Sequence, residues 1–281
     1  MLSYQHTYHA GNHADVLKHI ILGDILAGMQ AKDKPLFLLD AFASRGVYDL
    51  SSAHALKTNE AETGVRKLWP LRHERSPMGV HRWFLHTQAQ NSEGGLTYYP
   101  GSTSVLHHLQ RDNDRLVACD LHPQEFDDLN HQFSRLHGVA VLKRDAFEAI
   151  KALVPPPEKR GLIFIDPSYE IKDEYTQVAK TVAQAHKRFA NGVYVIWYPM
   201  LPEERHITLL RSLKNSGIRK IFRVELDTKD CFPDLQMHGS GLLIINPPWN
   251  AQQAMKSSLD WVCDKLTDNK GEKHMGWLVP E

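Results

Sequence analysis

Short apolar runs of strand length alternate with amphipathic stretches of helix length along most of the chain. The runs carry Ile, Leu, Val and Phe at odd and even positions alike, which is expected of strands buried on both faces of a parallel sheet. Seven strands are predicted by these runs, at residues 35–42, 115–122, 139–147, 161–169, 192–200, 218–226 and 239–249. Their alternation with helices is typical of an α/β protein with a mostly parallel, seven-stranded sheet.

The segments between the strands show the periodicity of amphipathic helices. Helices are predicted at residues 14–30, 122–137, 173–190, 203–216 and 250–266. A further helix is predicted just before the second strand, with Ser102 as its N-cap, because a serine side chain accepts hydrogen bonds from the first backbone N–H groups of a helix.

Acidic residues stand at the ends of four of the predicted strands: Asp40, Asp120, Asp145 and Asp166. In open parallel sheets, ligands bind outside the carboxyl ends of the strands. One acid at such a place is a common feature of strand-to-turn boundaries, whereas four of them indicate a cofactor-binding crevice.

The distance between the first two of these acids is unusual. A ribose-binding acid normally follows the first turn of such a fold by about 20 residues, but Asp120 lies 80 residues after Asp40. Residues 49–98 account for the excess and mix Trp, Arg and His with helix-forming residues. We therefore predict an inserted helical subdomain at 49–98, and a main domain formed by 1–48 and 99–281.

Composition narrows the class of protein without fixing its partner. An apolar content of 42% and a charged content of 23% exclude a disordered chain. Lysine plus arginine equals aspartate plus glutamate at 33 each, so net charge neither requires nor excludes a nucleic acid. Three scattered cysteines without a C-x-x-C pair favour a reducing, cytoplasmic location, and no apolar stretch is long enough to predict a membrane span.

The motif Asp166-Pro167-Ser168-Tyr169 directly follows the apolar strand GLIFI. Such a motif suits methylation of an exocyclic amine, whose lone pair is delocalised until acceptors bind its hydrogens. The Asp166 carboxylate and the Pro167 carbonyl can supply those acceptors, and Tyr169 can stack on a flipped base. Chance also produces Asp-Pro turns at strand ends, so the position after a central strand is what favours the catalytic interpretation.

Several motifs together resemble one known family. They are the opening MLSYQHTYHAGNHADVLKH, PGS at 100–102, DLHP at 120–123, DPSYE at 166–170, IWYP at 196–199 and INPPW at 245–249. This set is similar to the RlmJ family of bacterial methyltransferases, which act on an adenine N6 of large-subunit (23S) ribosomal RNA. The similarity runs from the first residue to the closing WLVPE.

The resemblance implies a Rossmann-like class I methyltransferase sheet with a small helical insert, S-adenosyl-L-methionine as the cofactor, 23S ribosomal RNA as the partner, and no metal. The cytoplasmic location is predicted from the cysteines above, and we expect a monomer. Asp166 would be the catalytic residue, and the N-terminal segment would fold over the active site. The implied cofactor-binding residues are His19, Phe42, Ser102, Asp120, Asp145, Ala146 and Asp166. The resemblance implies Tyr4 as a substrate-binding residue. The predicted substrate-binding residues are then Tyr4, with His6 and Lys18 of the N-terminal segment and Pro167 and Tyr169 of the motif described above.

The chain departs from the family pattern mainly after Asp40. The family pattern looks like T-H-A-G-A-G, and this chain has Ala-Phe-Ala-Ser-Arg-Gly at 41–46. Phe42 replaces a histidine and Ser44 a glycine, and the glycine that follows Asp145 in the family is Ala146. In this loop Arg45 either pairs with the carboxylate of the cofactor or points to solvent or RNA.

Two other functions remain open on the sequence. A catalytically impaired, RNA-binding homologue of the family is favoured only by the altered loop. A nicotinamide-dependent oxidoreductase is disfavoured because G-x-G-x-x-G does not follow Asp40. Four histidines near the N-terminus, His6, His9, His13 and His19, match no known zinc-ligand spacing, so no metal site is predicted.

Overall fold

In the computed structural model, which describes residues 5–91, 94–228, 231–232 and 236–281, the strands form one large and one small sheet. The strands are β1 (Phe37–Asp40), β2 (Val47–Asp49), β3 (Tyr98–Pro100), β4 (Arg115–Asp120), β5 (Val139–Lys143), β6 (Gly161–Ile165), β7 (Val193–Met200), β8 (Ile221–Asp227), β9 (Gly239–Ile245) and β10 (Glu272–Val279). β2 and β3 pair with each other, and the other eight form the large sheet in the order β10-β8-β9-β7-β6-β1-β4-β5.

The large sheet is mostly parallel, which confirms the predicted α/β class. β5, β4, β1, β6 and β7 pair in parallel, whereas β9 and β10 run against their neighbours, so six of the eight strands share one direction. The predicted number of seven was wrong by one strand. The additional strand, β10, lies at the edge of the sheet and is largely exposed. Its sequence therefore lacks the continuous apolar run that marks the buried strands.

Helices pack against the strands of this sheet. The helices are α1 (His13–Gln30), α2 (Ala53–Thr58), α3 (Val65–Leu68), α4 (Met78–Ala89), α5 (Ser102–Leu109), α6 (Pro123–Phe133), α7 (Ala146–Leu153), α8 (Glu174–Arg188), α9 (His206–Lys214) and α10 (Gln252–Thr267). Helix α1 begins at an N-cap, Asn12, whose side chain accepts a hydrogen bond from the backbone N–H of Asp15 at 2.9 Å. It is buried along most of its length between α4, α5 and α10, so its polar residues lie inside the protein.

Residues 49–98 contain the helices α2, α3 and α4. The two ends of this segment meet in the small sheet, where Asp49 of β2 pairs with Tyr98 of β3. Apolar side chains of the segment, including Val65, Trp83 and Phe84, belong to the same hydrophobic core as the large sheet. The inserted segment therefore packs on the main body through shared apolar contacts. None of the helices in the described part of the chain is both long and apolar enough to cross a membrane.

Candidate active site

A cleft opens at the carboxyl ends of β1, β4, β5 and β6, and α1 forms its remaining wall. All the residues predicted to bind the cofactor line this cleft: His19, Phe42, Ser102, Asp120, Asp145, Ala146 and Asp166. Of those predicted to bind the substrate, His6, Lys18 and Pro167 line it as well. Tyr4 lies outside the described residues.

Backbone N–H groups hold the acids at the strand ends. The two oxygens of Asp120 accept hydrogen bonds from Ser44 N at 2.9 Å and from His122 N at 2.7 Å. Burial raises the pKa of Asp120, and these hydrogen bonds oppose that rise. Asp145 is the N-cap of α7 and accepts a hydrogen bond from Glu148 N at 3.0 Å. Asp145 thus takes its orientation from the helix that follows it, whereas Asp120 is held by the turn after its own strand and by the loop after β1.

Ser102 has a different role in the fold from the predicted N-cap. It is the first residue of α5, whose N-cap is Gly101, and its hydroxyl donates to Asp40 at 2.7 Å. Thr103 donates to the same oxygen of Asp40 at 2.7 Å. Burial raises the pKa of Asp40 to about 6, and its other oxygen has no hydrogen-bond partner among the described residues. The end of β1 therefore holds a fully buried carboxyl group directly beside the cleft.

The loop that departs from the family pattern is held by a buried ion pair. Arg45 donates to both oxygens of Glu125 on α6, from Nη2 at 2.5 Å and from Nε at 3.0 Å. The hydroxyl of Ser44 also donates to Glu125, at 2.7 Å. Ser44 has a φ of 50°, in the left-handed region that glycine adopts most easily, and a serine adopts this conformation at a cost of about 1 kcal/mol. Arg45 thus pairs within the protein and is not directed at a ligand.

Four charged or titratable side chains contact one another in a row along the α1 wall. Lys18 Nζ lies 2.6 Å from Asp166 Oδ2 and 2.8 Å from Asp15 Oδ1. The His6 ring lies 2.9 Å from Asp15 Oδ2, which also accepts a hydrogen bond from Gly11 N. Lys18 is 3% exposed, so these contacts form almost entirely out of water.

The two carboxylates in this row of contacts, Asp15 and Asp166, have opposite pKa shifts. Burial raises the pKa of Asp166, and the ammonium of Lys18 opposes that rise. Burial also favours the protonated form of Asp15, but the charges of His6 and Lys18 hold its pKa well below its usual range. For Lys18 itself, burial opposes the charged form, and the two carboxylates raise its pKa above its usual range. The ammonium is therefore charged, and it favours the ionised form of Asp166.

Aromatic residues of the site are arranged differently from the prediction. Tyr169 is 4% exposed, stacks on Tyr175 with ring centres 4.2 Å apart, and donates its hydroxyl to the Trp197 carbonyl at 2.8 Å. It lies behind the cleft lining, whereas Trp197 is part of that lining. The ammonium of Lys18 lies 4.9 Å from the centre of the Trp197 ring. Trp197 was missed as a site residue because its strand shows only an uninterrupted apolar pattern.

The four N-terminal histidines have separate surroundings. His6 contacts Asp15, His9 contacts Glu60 at 2.7 Å, and His19 Nδ1 lies 2.9 Å from the Tyr99 hydroxyl. Both ring nitrogens of His13 are buried without a hydrogen bond in the described structure. Burial lowers the pKa of His19 to about 3, so this ring is neutral where it lines the cleft. Within the described ranges, no group of three or more His, Cys, Asp or Glu side chains is placed to hold a metal ion.

Comparisons with known proteins agree over the whole chain. A family model described as ribosomal RNA large subunit methyltransferase D, RlmJ, matches residues 33–279. Proteins named ribosomal RNA large subunit methyltransferase J from Escherichia coli (strain K12) and Haemophilus influenzae (strain Rd) are each 39% identical, over 285 and 283 aligned residues, and both matches cover both chains completely. A crystal structure from Legionella pneumophila (strain Philadelphia 1) superposes with a TM-score of 0.87 at 36% identity, covering 95% of this chain and 97% of that one. The chain belongs to the RlmJ family of ribosomal RNA large subunit methyltransferases.

Proposed function

We propose that this protein transfers a methyl group from S-adenosyl-L-methionine to the N6 amine of an adenine in 23S ribosomal RNA. The names of its full-length relatives support the class of reaction and the large-subunit RNA. The sheet has the strand order of a Rossmann-like class I methyltransferase, followed by the edge strand β10. The observation that carries the proposal is the position of Asp166, at the end of β6 in the cleft and paired with the buried ammonium of Lys18.

The residues of the cleft fit S-adenosyl-L-methionine. Asp120 stands where an acid binds ribose hydroxyls, and each of its oxygens keeps one lone pair after accepting a backbone hydrogen bond. Asp145 uses one oxygen as an N-cap, which leaves the other for the adenine amine. His19, Ser102, Ala146 and the ring of Phe42 complete this part of the cleft wall. The cofactor, when bound, supplies an electrophilic methyl group.

Asp166 is the proposed catalytic residue. Lys18 donates to one oxygen of Asp166 and leaves the other to accept a hydrogen bond from the acceptor amine. Together with the Pro167 carbonyl, this oxygen draws the amine nitrogen toward the tetrahedral geometry that it needs in order to attack. Because Lys18 favours the ionised form of Asp166, the carboxylate is also able to take the proton that the nitrogen loses after methylation.

The proposed substrate wall comprises the N-terminal segment and the turn after β6. His6, Lys18 and Pro167 line the cleft beside Asp166, and Tyr4 precedes His6 in the sequence. We propose that the ring of Trp197 forms the aromatic surface beside the base, and Tyr169 lies behind it and donates its hydroxyl to the Trp197 carbonyl. We also propose that the segment 49–98 is a helical subdomain of the methyltransferase domain, attached at the β2–β3 pair.

The test is methyl transfer from labelled cofactor to large-subunit RNA that lacks the modification. Asp166→Ala should lower turnover by about a hundred- to a thousandfold, because the amine loses its acceptor. RNA binding should persist, since phosphate contacts dominate affinity. Asp173→Ala, which removes an exposed acid a few residues away, should leave turnover unchanged.

The same assay separates the alternatives. Turnover of Asp166→Ala within a few-fold of the unmodified protein would remove Asp166 from the mechanism. Binding of RNA by the unmodified protein without any methyl transfer would favour the impaired homologue. Calorimetry tests the oxidoreductase: binding of NAD in place of S-adenosyl-L-methionine would support it, and binding of S-adenosyl-L-methionine alone would exclude it.

A further inference from the structure

A second cavity of about 440 Å³ adjoins the proposed cofactor cleft at Lys18. The two share four lining residues: His6, Lys18, Ser168 and Trp197. The second cavity extends along the first turn of α1 to Glu60 of the inserted segment and to Met237, which precedes β9. It therefore leads away from Asp166 toward the N-terminal end of α1.

The charged groups of this cavity are already paired. Glu60 accepts hydrogen bonds from His9 at 2.7 Å and from Asn12 at 2.9 Å. Asp15 lies against His6 and Lys18, and Lys18 is held between two carboxylates. Among the described lining residues, no cation is left to bind a phosphate group. The cavity therefore favours an uncharged ligand.

Two buried polar groups of the lining lack partners in the described structure. His13 is 1% exposed, and neither of its ring nitrogens has a hydrogen bond. Trp197 is 8% exposed, and its Nε1–H has no acceptor. Buried groups of this kind are normally hydrogen-bonded, and each unpaired one destabilises a protein. His13 lines only the second cavity and Trp197 lines both, so the unpaired groups point to a ligand that binds in the second cavity between them.

The unpaired atoms define the chemistry of that ligand. Burial lowers the pKa of His13 to about 4, so its ring is neutral at pH 7 and offers one donor and one acceptor. The indole of Trp197 offers a donor and an aromatic ring. Pro199, Leu201 and Met237 add an apolar surface. A planar heterocycle with donors and acceptors along its edge matches this lining.

The position of His13 indicates a base other than the one that is methylated. His13 and Lys18 are five residues apart on α1, which corresponds to about 7.5 Å along the helix axis. A base whose amine reaches Asp166 beside Lys18 therefore leaves the His13 end of the cavity to a neighbouring group. On the same RNA strand, that neighbour is the next nucleotide.

We propose that the second cavity binds the base of an unpaired nucleotide adjacent to the methylated adenosine, and that His13 and Trp197 Nε1 hydrogen-bond to its edge. This inference rests on the proposed function. Sequence-specific recognition of RNA commonly takes this form, with unstacked bases bound on their edges and against aromatic side chains. The subsite would select the sequence around the acceptor and would leave the methyl-transfer chemistry to Asp166.

The experiment combines protein variants with RNA fragments in which single bases flanking the acceptor are removed and the backbone is retained. With the unmodified protein, removal of one adjacent base should lower kcat/KM at least about tenfold, the effect of losing hydrogen bonds worth about 1.4 kcal/mol. His13→Phe should cause a similar loss on the intact RNA and no further loss on that abasic RNA. His13→Gln, which keeps a donor and an acceptor, should restore part of the activity.

His73→Phe is the matched control, because His73 is exposed and lies outside both cavities. The subsite would be overturned if kcat/KM fell equally for every abasic position. It would also be overturned if the losses in kcat/KM from His13→Phe and from the abasic RNA were additive. If His13→Phe does not fold, Trp197→Phe with the same RNA series decides in its place. Absence of methyl transfer from the unmodified protein to any RNA would instead overturn the proposed function, and the subsite with it.

Discussion

The cleft at the carboxyl ends of the strands has two walls that are built in different ways. At the strand ends, Asp120 and Asp145 each accept a hydrogen bond from a backbone N–H two or three residues further along the chain. Asp120 accepts one more, from the backbone N–H of Ser44 in the loop after β1. On the α1 wall, Lys18 is held by carboxylates, one of them 148 residues away. The first wall depends on local backbone geometry, and the second depends on the ionisation of buried side chains.

The difference also appears in the response to pH. Asp40, at the end of β1, has a pKa raised to about 6 by burial, so its neutral form is favoured by the fold. Asp15, on α1, has a pKa held well below its usual range despite its burial, so its ionised form is favoured. As the pH falls, protonation therefore stabilises the fold at Asp40, and it destabilises the fold at Asp15 once the pH falls through the low pKa of that group.

The largest expected effect comes from removing the cation of the α1 wall. Lys18→Met leaves Asp15 and Asp166 in a buried site without their shared partner, and should lower the free energy of unfolding by about 3–5 kcal/mol at pH 7. The deficit should shrink at pH 5, because the variant can protonate one carboxylate. Urea denaturation at both pH values measures this.

Lys67→Met is the matched control, since Lys67 forms an ion pair with a largely exposed Asp268. It should change the free energy of unfolding by less than about 1 kcal/mol. A similar loss for both variants, or a Lys18→Met deficit that is equal at the two pH values, would mean that buried charge does not govern this wall.

A smaller effect is expected at the junction between the β1 loop and α6. Arg45→Ala leaves the buried carboxylate of Glu125 with the Ser44 hydroxyl and should lower the free energy of unfolding by about 2–3 kcal/mol. Cofactor affinity, measured by calorimetry, should change less than about threefold, because the guanidinium pairs with the protein itself. A tenfold weaker affinity with unchanged stability would instead support the hypothesis that Arg45 pairs with the carboxylate of the cofactor. Arg75→Ala, at an exposed position, serves as the control.

The smallest effect tests the strand-end wall by pH alone. The pKa of Asp40 is about 6 in the folded protein, against 3.8 for an ordinary aspartate, so Asp40 binds more protons when folded than when unfolded. Its contribution to stability is therefore present at low pH and is lost as the pH rises through 6. Between pH 7.5 and pH 5, the unmodified protein should gain about 1.4 kcal/mol relative to Asp40→Asn. An unchanged difference between the two proteins would show that Asp40 is not neutralised by burial, and Asp33→Asn at a fully exposed site gives the baseline.

Much of the fold and of the cleft could be predicted from the sequence. The seven apolar strands follow from the alternation of buried runs and helices, and the four acids are placed together because parallel strands end on one side of a sheet. The edge strand β10 was missed because an exposed strand needs no apolar run. The roles assigned to the cleft residues stay predictions until the variants are measured.

The sequence by itself determined the α/β class, the family and the position of the acids, because these depend on periodicity and on short motifs of residues that are adjacent in the chain. Only the tertiary structure decided which charges are paired. It placed Arg45 on Glu125, Lys18 on Asp166 and Tyr169 behind Trp197. It also left both ring nitrogens of His13 without a hydrogen bond in the described part of the chain. Such contacts join residues far apart in the chain, and their energies depend on burial, which a local pattern does not specify.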